Sequence, residues 1–175
     1  MLAEAASRLA GAGAELIAIP CNTAHAFLDV VRDAAPGVLV MDMIAATVEA
    51  IAPYREGAAV GLLATDGTIT SGLYQHALTA RGLTPLVPEL SHQRELMTAI
   101  RRVKARGVDH VGQAIIRSQL DRLRDAGARC VIAGCTEVPL LCHGNQPVPV
   151  VDATATLASA VVREARGVDA TSFHR

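Results

Sequence analysis

Apolar residues in this chain gather in short dense runs, separated by longer stretches in which they recur every three or four positions. Six runs read as strands: residues 15–20, 38–41, 59–64, 83–87, 129–133 and 148–151. Most are continuously apolar rather than alternating, which is the pattern of parallel strands covered on both faces. Between them, residues 23–35, 43–54, 69–81, 92–104, 108–126 and 153–166 carry the helical spacing. Alternating strand and helix predicts an α/β fold with parallel sheets flanked by helices.

One pattern occurs twice. IAIPCNTAH at 17–25 and VIAGCTEVP at 131–139 each run from an apolar strand through a small or kinked residue to a cysteine, then to polar residues and a helix. In such folds ligands bind outside the carboxyl ends of the strands, so both thiols are expected at that kind of edge. The echo predicts two similar lobes, each offering one cysteine to a shared cleft. The first lobe is expected to comprise residues 1–45 with a returning segment, 148–175. The second is expected to comprise 46–147, with crossings near Ala45 and Pro147.

Composition narrows the function. With 175 residues, 51% of them hydrophobic and 19% charged, the chain is long and apolar enough to bury a core. A net charge of −1 gives no attraction for phosphate backbones, and two Phe, two Tyr and no Trp leave no stacking platform, so nucleic acid is not an expected partner. No run approaches the roughly 20 apolar residues of a membrane span. Glu4, Arg8 and Glu15 interrupt any signal-peptide core. A cytoplasmic protein with reduced thiols is the expectation, so Cys21, Cys130, Cys135 and Cys142 are not read as a disulfide framework.

Cys21 is followed by Asn22 and Thr23, and Cys135 by Thr136 and Glu137, with Gly134 just before it. Asn and Thr are good helix N-caps, and a thiol at a helix N-terminus is expected to have a lowered pKa. Such a place also suits a substrate carboxylate. Cys130, inside a strand, and Cys142, after an apolar helix turn, are assigned to packing. Cys21 with His25, and Cys142 with His143, lack the paired spacing of common zinc sites, so no metal is expected. No lysine sits in a Schiff-base setting and no dinucleotide-type glycine loop is present, so no cofactor is expected either.

PCNTAH at 20–25 and GCTEVPLL at 134–141 resemble the two signature motifs of the aspartate/glutamate racemase family. VGLLATDGTITSGLYQ at 60–75 is similar to its central Gly/Thr-rich motif, and the resemblance runs from about Gly13 to Val162. It implies inversion of an amino-acid α-carbon without pyridoxal phosphate, with Cys21 and Cys135 as the two catalytic thiols. One thiolate would remove the α-proton while the other thiol delivers a proton to the opposite face. Aspartate or glutamate is the expected substrate, and Glu137 after Cys-Thr resembles the aspartate-type branch.

The same resemblance gives Asn22, Thr23 and Thr136 as a cradle for the α-carboxylate, and counts Thr65, Thr68 and Glu137 among the substrate contacts. Thr65 and Thr68 read equally as a turn stabilised with Gly67. Lys104 resembles the family lysine that binds a side-chain carboxylate, although Arg106 interrupts the Val-Lys-Ala-Gly pattern; a solvated helix-end lysine is the other reading. Related hydantoin racemases, maleate isomerases and arylmalonate decarboxylases are the neighbouring chemistries, and a non-catalytic carboxylate-binding remnant is the reading from another class. The family's opening strand and Gly-Gly-Met-Gly-Pro loop have no counterpart here. A start placed too late at Met1, a degenerate remnant, or an oligomer covering the gap would each account for that. The first is the expectation, because the motif residues are kept, and an apolar face left by the gap leaves a homodimer open.

Overall fold

The structure is a computed structural model and describes residues 1–167. It is an α/β fold with two parallel sheets flanked by helices. A helix, α1 (Leu2–Gly11), precedes strand β1 (Leu16–Ile17), which pairs in parallel with β2 (Leu39–Val40). Between these strands run a 3-10 helix (Thr23–Phe27) and α2 (Leu28–Ala34). Ala6, Ile17, Leu28, Val31, Ala35 and Val40 form the small core of this part.

After α3 (Met43–Ala50) comes a four-stranded sheet of β3 (Ala59–Ala64), β4 (Thr84–Leu86), β5 (Cys130–Gly134) and β6 (Val150–Asp152). Its order is β4-β3-β5-β6, parallel throughout, with Pro85 on the edge strand where its missing N–H costs least. The connections carry α4 (Asp66–Ser71), α5 (Leu73–Thr79), α6 (Leu90–Arg106), α7 (His110–Asp125) and α8 (Glu137–Leu140). Helix α9 (Ala153–Ala165) follows β6.

Side chains of β3 and β5 alternate between two cores, as the period of a strand requires. Val60, Leu62, Ala64, Cys130 and Ile132 pack with residues of α3, α5 and α9. Leu63, Val131, Ala133 and Cys135 pack with residues of α6, α7 and α8. The buried Cys130 thus belongs to the first of these cores, and half-buried Cys142 packs against the second.

Several elements differ from the pattern-based expectation. Only Leu16–Ile17 and Leu39–Val40 form ladder strands within 15–20 and 38–41, because among the described residues β1 and β2 pair only with each other. The helix expected over 23–35 splits at Phe27, whose φ of −117° and ψ of 20° leave the helical region. The helix expected over 69–81 becomes α4 and α5, broken by Gly72 at φ 68°, a left-handed conformation that glycine adopts without strain. The segment from Val148 on, expected with the first lobe, lies with the four-stranded sheet. There β6 pairs with β5, and α9 packs on α3 and β5. Its apolar positions find a half-covered strand and a sheet face to bury against. Residues 168–175 of that segment lie outside the described residues.

Leu62 is wholly buried at the centre of this sheet, whereas Leu90 is 70% exposed at the start of α6. Leu62→Ala is expected to cost about 2–5 kcal/mol in urea unfolding, and Leu90→Ala less than about 0.5 kcal/mol.

Candidate active site

The parallel ladder between β3 and β5 runs from Val60↔Cys130 to Ala64↔Gly134. The next residues, Thr65 and Cys135, therefore emerge side by side at the carboxyl edge of the sheet. Gly134 permits this closeness: a Cβ there would lie 3.0 Å from the Ala64 Cβ and 3.1 Å from Leu62 Cδ1.

The Cys21 turn meets the same edge through hydroxyl groups. Thr23 Oγ1 lies 2.8 Å from Thr65 Oγ1 and 2.9 Å from Thr68 Oγ1, and the two hydroxyls of the second lobe are 3.1 Å apart. The Thr68 amide donates to Thr65 Oγ1, capping α4. Gly67 must be small, since a Cβ there would approach Thr23 Cγ2 to 2.8 Å. Gln93 braces the loop from α6, its Nε2 donating to the carbonyl of Ala64 and to Asp66 Oδ1 on either side of Thr65. Thr65 and Thr68 thus form the stabilised turn that one of their two readings expected.

Asn22 and Thr23 do not cap the helix that follows. Asn22 has helical φ and ψ and makes no side-chain cap bond. Its Oδ1 instead accepts from the Tyr74 hydroxyl at 2.6 Å, while its Nδ2 is buried without an acceptor. His25 fixes the turn from beneath. The Met43 amide donates to Nε2 at 3.0 Å, and Nδ1 lies 2.9 Å from the Cys21 carbonyl oxygen. A backbone N–H can only donate, so the ring proton sits on Nδ1 and is given to Cys21. Both nitrogens of His25 are engaged, and among the described residues no group of three or more His, Cys, Asp or Glu could hold a metal ion.

The two thiols have unlike surroundings. Cys21 is exposed, and Cys135 is 7% exposed with its Sγ donating to Glu137 Oε2 at 2.8 Å. Burial, reinforced by the Glu137 carboxylate, pushes the Cys135 thiol up to about 12. This reverses the expectation of a lowered value from a helix N-terminus. Helix α8 has only four residues and exposed Thr136 makes no cap bond, so the dipole is short while the desolvation is large. Burial alone would raise the Glu137 carboxyl. The Cys135 thiol, the Lys104 ammonium and Thr136 outweigh it and hold Glu137 below its ordinary value. Lys104 Nζ stands 3.7 Å from Glu137 Oε1, so this lysine at the end of α6 reaches the Cys135 turn although its side chain is 58% exposed.

The structure thus brings Asn22, Thr23, Thr65 and Thr68 together on one side and Cys135, Thr136, Glu137 and Lys104 on the other, with Thr65 beside Cys135. Sequence reasoning weighed His25 only as a metal ligand and left Tyr74 and Gln93 without a role. A tyrosine inside an otherwise buried helix face was the available signal, since its hydroxyl must find a partner.

Residues 1–161 match the family model described as Asp/Glu/Hydantoin racemase. The chain is 28% identical over 164 residues to the broad specificity amino-acid racemase RacX of Bacillus subtilis, covering 91% of this chain and 68% of that protein. It is 34% identical to a glutamate racemase of Corynebacterium kroppenstedtii over 78% of this chain, but spans only 46% of that relative's length. Among solved structures, an aspartate racemase homologue from Pyrococcus horikoshii superposes with a TM-score of 0.79 at 33% identity, covering 94% of this chain and 72% of that one.

Cys135 holds its proton more tightly in the folded chain, at about 12, than at the ordinary 9.0. Its contribution to stability is therefore complete below pH 9.0 and is lost as pH rises toward about 12. Urea unfolding at about pH 8 and about pH 10.5 is expected to show a steeper loss for the wild type than for Cys135→Ala. Equal slopes would mean that the thiol is not sequestered.

Proposed function

The chain belongs to the Asp/Glu/hydantoin racemase family, and on that premise we propose that it inverts the α-carbon of an acidic amino acid through Cys21 and Cys135. The observation that carries this reading is the bond from Thr23 to Thr65, which ties the Cys21 turn to the strand end beside Cys135. On this reading the two thiols face one cleft from different lobes, which suits proton removal and delivery on opposite faces of a carbon.

In one direction the Cys21 thiolate takes the α-proton and the Cys135 S–H supplies a proton to the other face. Cys21 ends as a thiol and Cys135 as a thiolate, so the proton count is unchanged and one negative charge has moved. In the free chain Cys135 rests protonated against Glu137, as this direction asks of the donor. In the other direction Cys135 must first lose its proton, a step that the Glu137 carboxylate opposes and the Lys104 ammonium favours. The α-proton is weakly acidic, so donors must meet the charge that develops toward the carboxylate. Asn22 Nδ2 and the hydroxyls of Thr23, Thr65 and Thr68 are the candidates, with exposed Thr136 at the rim. Lys104 supports an acidic substrate, whose side-chain carboxylate would share the ammonium with Glu137.

Incubating the protein with L-aspartate or L-glutamate in D2O and following the α-proton by NMR tests the reading directly. Exchange abolished by either Cys21→Ala or Cys135→Ala is expected, and exchange that survives both substitutions would refute the two-thiol mechanism. Glu137→Gln keeps the size but removes the charge that holds the proton on Cys135, and is expected to move the alkaline limb of the pH–rate profile to lower pH in the direction that deprotonates Cys135.

A further inference from the structure

Tyr74 heads the fully buried side chains by volume, yet it carries a polar hydroxyl. That hydroxyl is 2.6 Å from Asn22 Oδ1 and 3.5 Å from Thr47 Oγ1. The Thr47 proton is already given to the Met43 carbonyl at 2.7 Å, so Thr47 can only accept from the phenol. A phenol has one proton to give, and the shorter distance assigns it to Asn22. The other side of the ring lies near the second cysteine turn: a Cβ on Gly134 would sit 3.5 Å from Tyr74 Cε2. One buried residue therefore hydrogen-bonds to Asn22, which follows Cys21, and lies near Gly134, which precedes Cys135.

This contact decides how the Asn22 carboxamide faces. With Oδ1 taken by Tyr74, Nδ2 is the end left over, and it is the atom that is buried without an acceptor. Leaving a buried N–H₂ unsatisfied is costly, and the chain retains it within a cluster that holds three threonine hydroxyls. We propose that Tyr74 is a positioning residue for carboxylate binding: it locks the Asn22 carboxamide with Nδ2 as the free donor, which the ligand carboxylate completes. The inference rests on the reading of Asn22 as part of the substrate cradle. Without the phenol proton, Oδ1 and Nδ2 lose the group that tells them apart, and the amide can turn its acceptor toward the ligand, repelling the carboxylate it otherwise binds.

The test uses the full chain with Tyr74→Phe, which preserves the ring, and Asn22→Asp, which preserves the acceptor for Tyr74 but replaces the donor with a negative charge. Side-chain amide resonances of Asn22 are followed by NMR while L-aspartate, and separately malonate, is added. In the wild type the Asn22 NH₂ pair is expected to shift on addition of either ligand. In Tyr74→Phe the pair is expected to broaden in the free protein, and half-saturation to need about tenfold more ligand. Where turnover is measured, kcat/KM is expected to fall by at least that factor, with KM rising as ground-state binding is lost and kcat falling as Asn22 no longer meets the charge that develops in the transition state. Asn22→Asp is expected to remain folded and to lose carboxylate binding. A Tyr74→Phe chain with wild-type affinity and a wild-type Asn22 signal would overturn the proposal, as would an Asn22 amide in the wild type that neither ligand moves. Carboxylate binding without α-proton exchange would refute the racemase reading and leave the role of Tyr74 standing.

Discussion

Everything at the candidate site hangs on the pairing of β3 with β5. Five consecutive residues of each strand face one another in parallel, from Val60 and Cys130 to Ala64 and Gly134. Both strands are buried on both faces, so the register is enforced twice, once by each core. A slip of one residue would send Leu63 and Val131 to the wrong side and carry Cys135 away from α6 and α8. The cost would be several buried aliphatic side chains at roughly 1.5–3 kcal/mol each, far more than any single polar contact at the site could return. Hydrophobic packing thus sets the place of Thr65 and Cys135, and hydrogen bonds refine what is already placed.

The attachment of the Cys21 turn follows a different rule. Its hydrogen bonds to the rest of the chain are directional: Thr23 with Thr65 and Thr68, the Tyr74 phenol on Asn22, and the Met43 amide on His25. Each contributes on the order of 1 kcal/mol net, so their strength lies in orientation more than in cohesion. They also interlock. His25 joins the Cys21 carbonyl to the start of α3, and Thr47 of α3 lies within reach of the same phenol that holds Asn22. Four residues of the motif are thereby held, Cys21 by the His25 ring, Asn22 by Tyr74, Thr23 by Thr65 and Thr68, and His25 by the Met43 amide. This accounts physically for why a run of such unlike residues occurs together.

That division explains what could be read from the sequence. The strands of the second sheet and the two cysteine junctions were legible because continuous apolar runs leave few alternatives to a covered parallel strand. The shortness of β1 and β2 was not, since ladder length depends on partners rather than on composition. Asn22 and Thr23 looked like helix caps because local chemistry makes them good ones. Distant partners, Tyr74 at 52 residues and Thr65 at 42 residues away, claim their side chains instead. The direction of the Cys135 shift was misread for a related reason: a motif shows the helix start but not the depth of burial. The placement of β6 was not legible because a strand of three residues, Val-Val-Asp, carries no mark of which sheet edge it will join.

The inequality of the two thiols bears on any reaction that treats both hands of a substrate. In the free chain Cys135 is sequestered with a carboxylate at hydrogen-bond distance, and Cys21 is open to solvent. On the proposed reading, a bound amino acid covers Cys21 and brings an ammonium group and a side-chain carboxylate close to Glu137 and Lys104, whose opposing charges push the Cys135 thiol in opposite directions. On that reading the pair Glu137–Lys104 is a substrate contact that also sets how tightly one thiol holds its proton.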